Sequence, residues 1–294
     1  MKIAQRAAST AAHIAALLFG LTGIFGALIQ ADATVITCGR ALFAVAALAA
    51  YATFKKLPLG KVKGRQAGFL VLTGLLLAVH WVTFFVAVKV GGVALATLGF
   101  ASFPAFIAVL DVLIFRERIG AREGLLLSMI TLGLILLTPS FDWADRGTAG
   151  LLWGIASGLS FAMLVMANRR AAAGLNALQI AFWQNAVVTM VLAPGVFGQP
   201  LVLQLSDWIH LALLGVFCTA LAQFLFVKSL ESLDARRAGM IIALEPVYAI
   251  ACAWWLFAQQ PSLRMLAGAA FIICAIVLAA NSQLKAQPDG SSSV

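Results

Sequence analysis

Long runs of apolar residues, separated by short polar segments, follow one another along almost the whole chain. A helix that crosses a bilayer needs about 20 mostly apolar residues, because the hydrocarbon core is about 30 Å thick. The pattern predicts such a helix at 10–29, 34–54, 67–88, 93–115, 121–138, 148–167, 177–197, 208–227, 238–257 and 263–280. The expected fold class is therefore an all-α integral membrane protein with ten transmembrane helices.

The composition agrees with lipid as the main solvent of this chain. Of its 294 residues, 63% are hydrophobic and only 11% are charged, whereas a soluble domain carries about 25% charged residues. The formal net charge of +9 comes from lysines and arginines scattered between the apolar runs. They form no basic stripe, so we expect no nucleic-acid partner.

The placement of the positive charges predicts how the chain is oriented. With the N-terminus inside, sixteen of the twenty lysines and arginines lie in cytoplasmic segments. Only Lys89, Arg146 and Arg264 lie outside, and Arg40 lies within a span. The positive-inside rule therefore predicts that both termini are cytoplasmic.

The two halves of the chain resemble each other. Leu17-Leu18-Phe19-Gly20 has a counterpart in Leu151-Leu152-Trp153-Gly154, and each half has a proline in its fourth span, Pro104 or Pro246. Since five is an odd number, the second half must enter the membrane from the opposite side. We expect two inverted five-helix repeats, 1–140 and 147–285, and a disordered cytoplasmic tail, 286–294. Inverted repeats with a substrate site between them are the architecture of secondary transporters.

Two stretches resemble a known family. The sequence LEPVYAIACAWWLFAQQPSLRMLAGAAFIICAIVL, from Leu244 to Leu278, is similar to the end of the second repeat in EamA-type members of the drug/metabolite transporter superfamily. The first half offers the looser counterpart FPAFIAVLDVLIFRERIG, from Phe103 to Gly120, and Arg40 also fits the family pattern. Ala258-Gln259 stands where the family commonly has Gly-Glu.

The resemblance implies a secondary transporter in the bacterial inner membrane that exports small metabolites by alternating access. The bacterial exporters of amino acids, aromatic ones in particular, look most similar. Another cargo of the same superfamily, such as a drug or a nucleotide sugar, is the alternative. No motif of a membrane-embedded enzyme or of an ATP-binding loop is present, and we expect no metal and no cofactor. Ten helices in two bundled halves are enough for a monomer to work.

Ionisable groups at membrane depth are costly and are candidates for function. Four occur here: Glu245, His80, Arg40 and Asp111. Glu245 either contributes to a substrate site or pairs with Arg40 or a helix-end amide. Asp111 is expected to form a structural ion pair with nearby arginines.

His80 and Trp81 are neighbours in the third span, so their side chains point about 100° apart. We expect His80 to face a cavity, because lipid suits an indole and disfavours an imidazole. A hydrogen bond from His80 to a neighbouring helix is the alternative reading. Trp81 remains among the candidate substrate-binding residues.

Pro104 and Pro246 fall near the middle of the fourth and ninth spans. A proline inside a helix removes a backbone hydrogen bond and frees a carbonyl. The functional interpretation is a pair of bent helices that line a cavity, and the alternative is a pair of packing kinks.

Further polar and aromatic residues complete the expected site. Gln184 and Asn185 are adjacent amides in the seventh span, so at least one must face protein or water. A zwitterionic substrate needs donors, acceptors and an apolar wall. The residues expected to provide them are His80, Glu245, Gln184, Tyr248, Ser160, Trp81, Phe100 and Phe103. Gly150, Gly154 and Gly158 form a small-residue face for helix packing.

Overall fold

The computed structural model of the chain is helical throughout the part that it describes. Those residues are 2–60, 62, 64–115, 120–140, 142, 144–171, 175–198, 202–229, 233, 241–242, 244–258 and 260–282. The helices are α1 (Lys2–Leu28), α2 (Ala33–Phe54), α3 (Arg65–Phe100), α4 (Phe103–Phe115), α5 (Ala121–Leu137), α6 (Arg146–Ala171), α7 (Ala177–Phe197), α8 (Leu205–Gly215), α9 (Ala222–Ser229), α10 (Glu245–Phe257) and α11 (Leu263–Ser282). A π-helical segment, Val216–Leu221, joins α8 to α9. The tail predicted at 286–294 lies outside the described residues.

Among the described residues, six helices are long and apolar enough to cross a bilayer. They are Arg6–Leu28, Ala33–Phe54, Arg65–Phe100, Arg146–Asn168, Ala177–Val196 and Leu205–Phe226. Three shorter helical stretches, Phe103–Ile114, Gly124–Leu137 and Leu263–Leu278, are also apolar. Large apolar side chains such as Leu113, Met190 and Trp255 are exposed, as expected where the solvent is lipid. The all-α membrane class is thus confirmed for the described residues.

Several helices begin and end where the hydrophobic pattern places them. The bounds of α2, α5 and α7 agree within one residue with the predicted segments. The first helix is different, because α1 begins at Lys2 rather than at residue 10. Ala8 of this extension is buried with Ala12 and Leu233, a contact that hydropathy alone does not reveal.

The helix α3 contains a reversal of the chain at Gly92. A straight helix of its 36 residues would be about 54 Å long, far beyond the thickness of a bilayer core. Gly92 has φ 84° and ψ 170°, a conformation that glycine adopts readily and other residues avoid. The neighbouring helix α6 contacts both pieces: His80 meets Ser157, and Gly99 meets Gly154.

These contacts give the direction of each piece. Position 80 lies beside 157 and position 87 beside 150, so the piece before Gly92 runs antiparallel to α6. Position 91 lies beside 150 and position 100 beside 158, so the piece after Gly92 runs parallel to α6. The tight turn at Gly92 therefore separates the third and fourth predicted segments, although both segments reach into the residue range of α3.

Both mid-span prolines begin a helix, which corrects the expectation that they bend a continuous one. The chain turns at Ala101 and Ser102, and Pro104 is the second residue of α4. In the second half, Leu244 has φ −83° and ψ −4°, and Pro246 is the second residue of α10. A proline in the first turn loses no helical hydrogen bond, so the fourth and ninth segments are broken rather than kinked at these points.

Glycines let helices cross closely at each break. A Cβ atom on Gly158 of α6 would lie 2.9 Å from the carbonyl oxygen of Phe100. A Cβ atom on Gly20 of α1 would lie 3.0 Å from the carbonyl oxygen of Glu245. Each half thus contributes its first helix to the break in the other half. The expected packing role of Gly150, Gly154 and Gly158 agrees with these contacts.

Two large apolar clusters hold most of the described helices together, beside the small one at Leu233. The larger one combines buried residues of α1, α2, α3, α6, α7, α8 and α10, including Phe85, Ile36 and Leu214. The smaller one joins α3, α5, α6 and α11 through residues such as Leu98 and Ile272. At the contact of α5 with α11, a Cβ atom on Gly133 would lie 2.9 Å from the carbonyl oxygen of Gly268.

Hydrogen bonds tie the loops at each end of the bundle. At one end the Gln30 N–H donates to Asp207 Oδ1 at 2.8 Å, and Lys89 Nζ donates to the carbonyl oxygen of Ile29. At the other end Trp183 Nε1 donates to the carbonyl oxygen of Leu59 at 3.3 Å. Each bond joins two segments that the sequence predicts on one side of the membrane.

Candidate functional site

His80 lies in a buried contact between α3 and α6, with 7% of its surface exposed. The Ser157 hydroxyl donates to the backbone carbonyl of His80 at 3.0 Å, and Nδ1 of the imidazole lies 2.8 Å from the same hydroxyl oxygen. Since that hydroxyl has already used its one hydrogen, Nδ1 must carry the proton of this contact. In the neutral ring Nε2 is then an acceptor.

The Nε2 atom of His80 remains available. No described residue forms a hydrogen bond with it, and it is not among the fully buried, unpartnered atoms of the described chain. The contact with the neighbouring helix is therefore confirmed for Nδ1, and the orientation of Nε2 towards a cavity stays a prediction.

Two phenylalanine rings contact this imidazole, and a third packs against both of them. The ring centroids of Phe100 and Phe161 lie 5.0 Å and 4.9 Å from that of His80. Phe103 stacks on Phe100 at 5.3 Å and meets Phe161 edge-on at 5.1 Å. Phe100 and Phe103 flank the turn at Ala101 and Ser102, and their rings stack on each other. The result is an apolar aromatic wall beside a single polar acceptor.

Trp81 faces the protein rather than lipid, which corrects the sequence-based expectation. Its exposed fraction is 7%, and the guanidinium carbon of Arg40 lies 4.0 Å from the centroid of its ring. Arg40 Nε and one terminal nitrogen donate to Thr219 Oγ1 at 3.1 Å and 2.8 Å. The Thr219 hydroxyl donates in turn to the carbonyl oxygen of Leu214. Trp81 therefore packs against a buried cation and not against lipid.

Glu245 begins α10 at the break in the second half. It forms no ion pair with Arg40, since no described carboxylate lies within 4.0 Å of that guanidinium. The two side chains still interact through their charges. Its carboxylate has no hydrogen bond from a described residue, and the residue as a whole is half-buried. The predicted pairing with Arg40 is therefore not a direct contact.

Tyr248 lies one turn further along α10 and bonds to the first helix. Its hydroxyl lies 2.9 Å from Nδ1 of His13. A Cβ atom on Gly20 would lie 3.2 Å from Tyr248 Cβ, so α1 covers the start of α10. His13 is a partner that sequence reasoning did not identify.

The remaining polar candidates are engaged in packing. Gln184 Nε2 donates to Asn168 Oδ1 at 3.0 Å, which joins α7 to α6. Ser160 donates to the backbone carbonyl of Ser157 at 2.9 Å. Asn185 donates within α7 to Ala181, and its Oδ1 is buried without a partner. The structure therefore brings His80, Phe100 and Phe103 together but uses Gln184 and Ser160 to hold helices.

Two residues of the site were missed by sequence reasoning. Phe161 follows Ser157 by four positions and so lies on the same face of α6, a signal that was present in the sequence. Thr219 lies in the π-helical segment. A hydrophobic pattern does not predict where an α-helix widens into a π-helix. The side chain of Asp111 and its expected arginine partners at 116 and 118 lie outside the described residues.

The charge interactions among the candidate residues centre on Arg40. Arg40, His80 and Glu245 come from three helices, and the charge of Arg40 acts on both other groups. Among the residues described, no three histidines, cysteines or acids gather as a metal site would require. The arrangement offers a cation, a carboxylate, an imidazole acceptor and an aromatic wall.

Comparison with known proteins points to one family. The model of the EamA-like transporter family matches residues 7–138 and again 148–281. An uncharacterized transporter of Archaeoglobus fulgidus is 26% identical over 94% of this chain and 97% of its own length. An S-adenosylmethionine uptake transporter of Rickettsia bellii is 26% identical over 74% of this chain and 73% of its length.

Two further similarities extend the picture. A pseudopaline exporter of Pseudomonas aeruginosa is 23% identical over 72% of this chain and 78% of its own length. A solved crystal structure superposes with a TM-score of 0.64 at 18% identity, over 94% of this chain and 96% of that one. At this identity the superposition shows a shared fold only.

Proposed function

This chain belongs to the EamA-like transporter family, and we propose that it is a secondary transporter that exports amino acids, hydrophobic or aromatic ones in particular. The observation that carries the substrate class is the contact of His80 with Phe100 and Phe161, against which Phe103 packs. An apolar side chain fits against the rings, while Nε2 accepts a hydrogen bond from the polar end of the substrate.

Alternating access between two inverted repeats is the mechanism that we propose. The twofold match of the family's model to the chain supports two repeats. The reciprocal crossings support inversion, since α6 meets the first break at Gly158 and α1 meets the second at Gly20. Broken helices at a midplane site are common in such transporters, because free backbone groups there can bind substrate.

A larger metabolite is the second candidate cargo. Relatives of similar length are named for uptake of S-adenosylmethionine and for export of pseudopaline. Those names describe opposite directions of transport. We therefore propose export for this protein independently of its cargo. Uptake and efflux should be compared in right-side-out and inside-out membrane vesicles.

The first prediction concerns flux. Purified protein in liposomes should carry at least one labelled amino acid from a panel that also contains drugs, nucleotide sugars and S-adenosylmethionine. His80→Ala and Glu245→Gln should each lower this flux by about tenfold or more, the effect of losing roughly 1.4 kcal/mol of binding. Asp142→Asn changes an exposed acid of a loop and should leave flux unchanged.

Melting temperature separates a site residue from a packing residue. A site variant should lose flux and keep its melting temperature within a few degrees of the unmodified protein. Equal losses of stability and flux would assign His80 and Glu245 to packing. Full flux in both variants would rule out the site, and flux of a non-amino-acid cargo alone would overturn the proposed substrate class.

A further inference from the structure

Arg40 is a buried cation with no carboxylate partner among the described residues. Only 4% of its surface is exposed, and it lies in α2, one of the membrane-spanning candidates. An arginine at that depth is costly unless protein groups or a ligand satisfy it. The contacts that it does make are with Thr219, Trp81 and the ring of Phe85 at 5.6 Å.

The guanidinium has two edges that can hold an oxygen atom. Thr219 occupies the edge formed by Nε and one terminal nitrogen, since both donate to its hydroxyl oxygen. The other edge is formed by the two terminal nitrogens, and it is the geometry that binds a carboxylate through two parallel hydrogen bonds. The nitrogen that Thr219 leaves free has no partner among the described residues and is not fully buried.

No carboxylate of a described residue neutralises Arg40 by direct contact. Glu245 acts on Arg40 through charge, and the charge of Arg40 acts in turn on His80. His80 is fixed to Ser157, and the Glu245 carboxylate lies beyond ion-pair distance. Trp81 and Phe85 hold the guanidinium in place without neutralising it. The cation is therefore positioned, desolvated and short of one negative partner.

We propose that Arg40 binds the carboxylate of the transported substrate through its two terminal nitrogens, and that Glu245 receives the substrate ammonium group. This inference rests on the proposed function and deepens it, because it makes a carboxylate next to an ammonium the required chemistry. A cationic drug or an amine without a carboxylate would leave Arg40 unpaired and would be rejected.

The second prediction compares an acid with its amide in the unmodified protein. Phenylalanine and phenylalaninamide share the same ring and ammonium group and differ only at the carboxyl group. Without a membrane potential, phenylalanine should compete for flux at least about tenfold better than its amide. Phenylalanine should also raise the melting temperature of the purified protein, while the amide should not.

Variants of Arg40 test the assignment to this residue. Arg40→Met should abolish both the flux of phenylalanine and its stabilising effect. Arg40→Lys keeps the charge but loses the paired donors, so it should retain a weakened preference for the acid. Arg264→Met is the matched control, because Arg264 bonds to the carbonyl oxygen of Ile135 on the exposed surface. It should keep the full preference of the unmodified protein.

The outcomes distinguish this inference from the proposed function. Equal flux and equal stabilisation by acid and amide would overturn the role of Arg40 while leaving amino-acid transport intact. Stabilisation by the acid alone without any flux would support the site and overturn transport. Absence of stabilisation by phenylalanine in the unmodified protein would overturn the inference even if Arg40→Met failed to fold. A preference for the acid retained in Arg40→Met would do the same.

Discussion

At the scale of single residues, His80 and Arg40 are each held by one side-chain hydrogen-bond partner and leave another nitrogen without a partner among the described residues. Ser157 holds one nitrogen of His80, and Thr219 holds one edge of Arg40. Burying a polar group without a hydrogen bond destabilises the folded state by roughly 1–3 kcal/mol. The partner residues therefore stabilise groups whose remaining atoms are available to a ligand.

The third prediction tests the hydrogen bonds that Arg40 donates to Thr219. Thr219→Val preserves the shape of the side chain and removes the oxygen that accepts two hydrogen bonds. The free energy of unfolding should fall by about 1–3 kcal/mol, because the guanidinium donors are left unpaired. The measurement is the melting temperature of the purified protein in detergent.

A second threonine provides the control. The Thr83 hydroxyl bonds only to carbonyls of its own helix, at Val79 and His80. Thr83→Val should change the melting temperature much less than Thr219→Val. Equal effects of the two substitutions would show that the Arg40 contact contributes nothing specific to stability.

At the scale of helices, glycine contacts decide how closely the two halves approach. The α3 and α6 backbones touch where Gly91 and Gly99 face Gly150 and Gly154. In lipid the hydrophobic effect does not drive helices together, so close backbone packing takes its place. The aromatic wall depends on this contact, since Phe161 of α6 reaches Phe100 only when the helices lie close.

The fourth prediction adds one methyl group to that contact. A Cβ atom on Gly150 would lie 2.3 Å from Gly91 Cα, so Gly150→Ala must push the helices apart. Overpacking of this kind destabilises by about 1–3 kcal/mol, which a lower melting temperature should reveal. Because the wall moves with α6, flux should fall as well.

Gly68 is the matched control for this substitution. A Cβ atom there meets nothing within 4 Å, although the residue also lies in α3. Gly68→Ala should leave the melting temperature unchanged or raise it, because alanine favours a helix by up to about 1 kcal/mol over glycine. A loss of stability as large as that of Gly150→Ala would contradict the packing explanation.

At the scale of the whole molecule, the helices pair in a way that two inverted halves would require. The first helix of each half crosses the break in the other, at Gly20 and at Gly158. The last helices of the halves, α5 and α11, meet each other at Gly133 and Gly268. These contacts show which helices of the two halves lie together. The distribution of positive charges predicts which side of the membrane is cytoplasmic.

The fifth prediction tests inversion and orientation together. Asp32→Cys and Leu175→Cys place a thiol in the first loop of each half, in a background whose four native cysteines are alanine. A membrane-impermeant thiol reagent applied to intact spheroplasts should label position 32 and should reach position 175 only after permeabilisation. Labelling of both loops from one side would contradict inverted repeats, and the reverse pattern would place the N-terminus outside.

Hydropathy and charge determined much of this protein without any tertiary information. The apolar runs predicted α2, α5 and α7 within one residue, because the length of a span is fixed by the thickness of the bilayer. His80 and Phe100 were recognised as site candidates because an imidazole is costly at membrane depth and an aromatic wall suits an apolar substrate. Those inferences depend only on residue type and position along the chain.

Only the tertiary structure decided which partners the polar residues take. Trp81 lies under Arg40 rather than in lipid, Gln184 bonds to Asn168, and Pro246 begins a helix instead of bending one. Hydropathy treats each residue as if it faced an average solvent, so it cannot distinguish a face turned to lipid from one turned to another helix. That distinction arises from contacts between residues far apart in sequence, such as Arg40 and Thr219, and these exist only once the chain is folded.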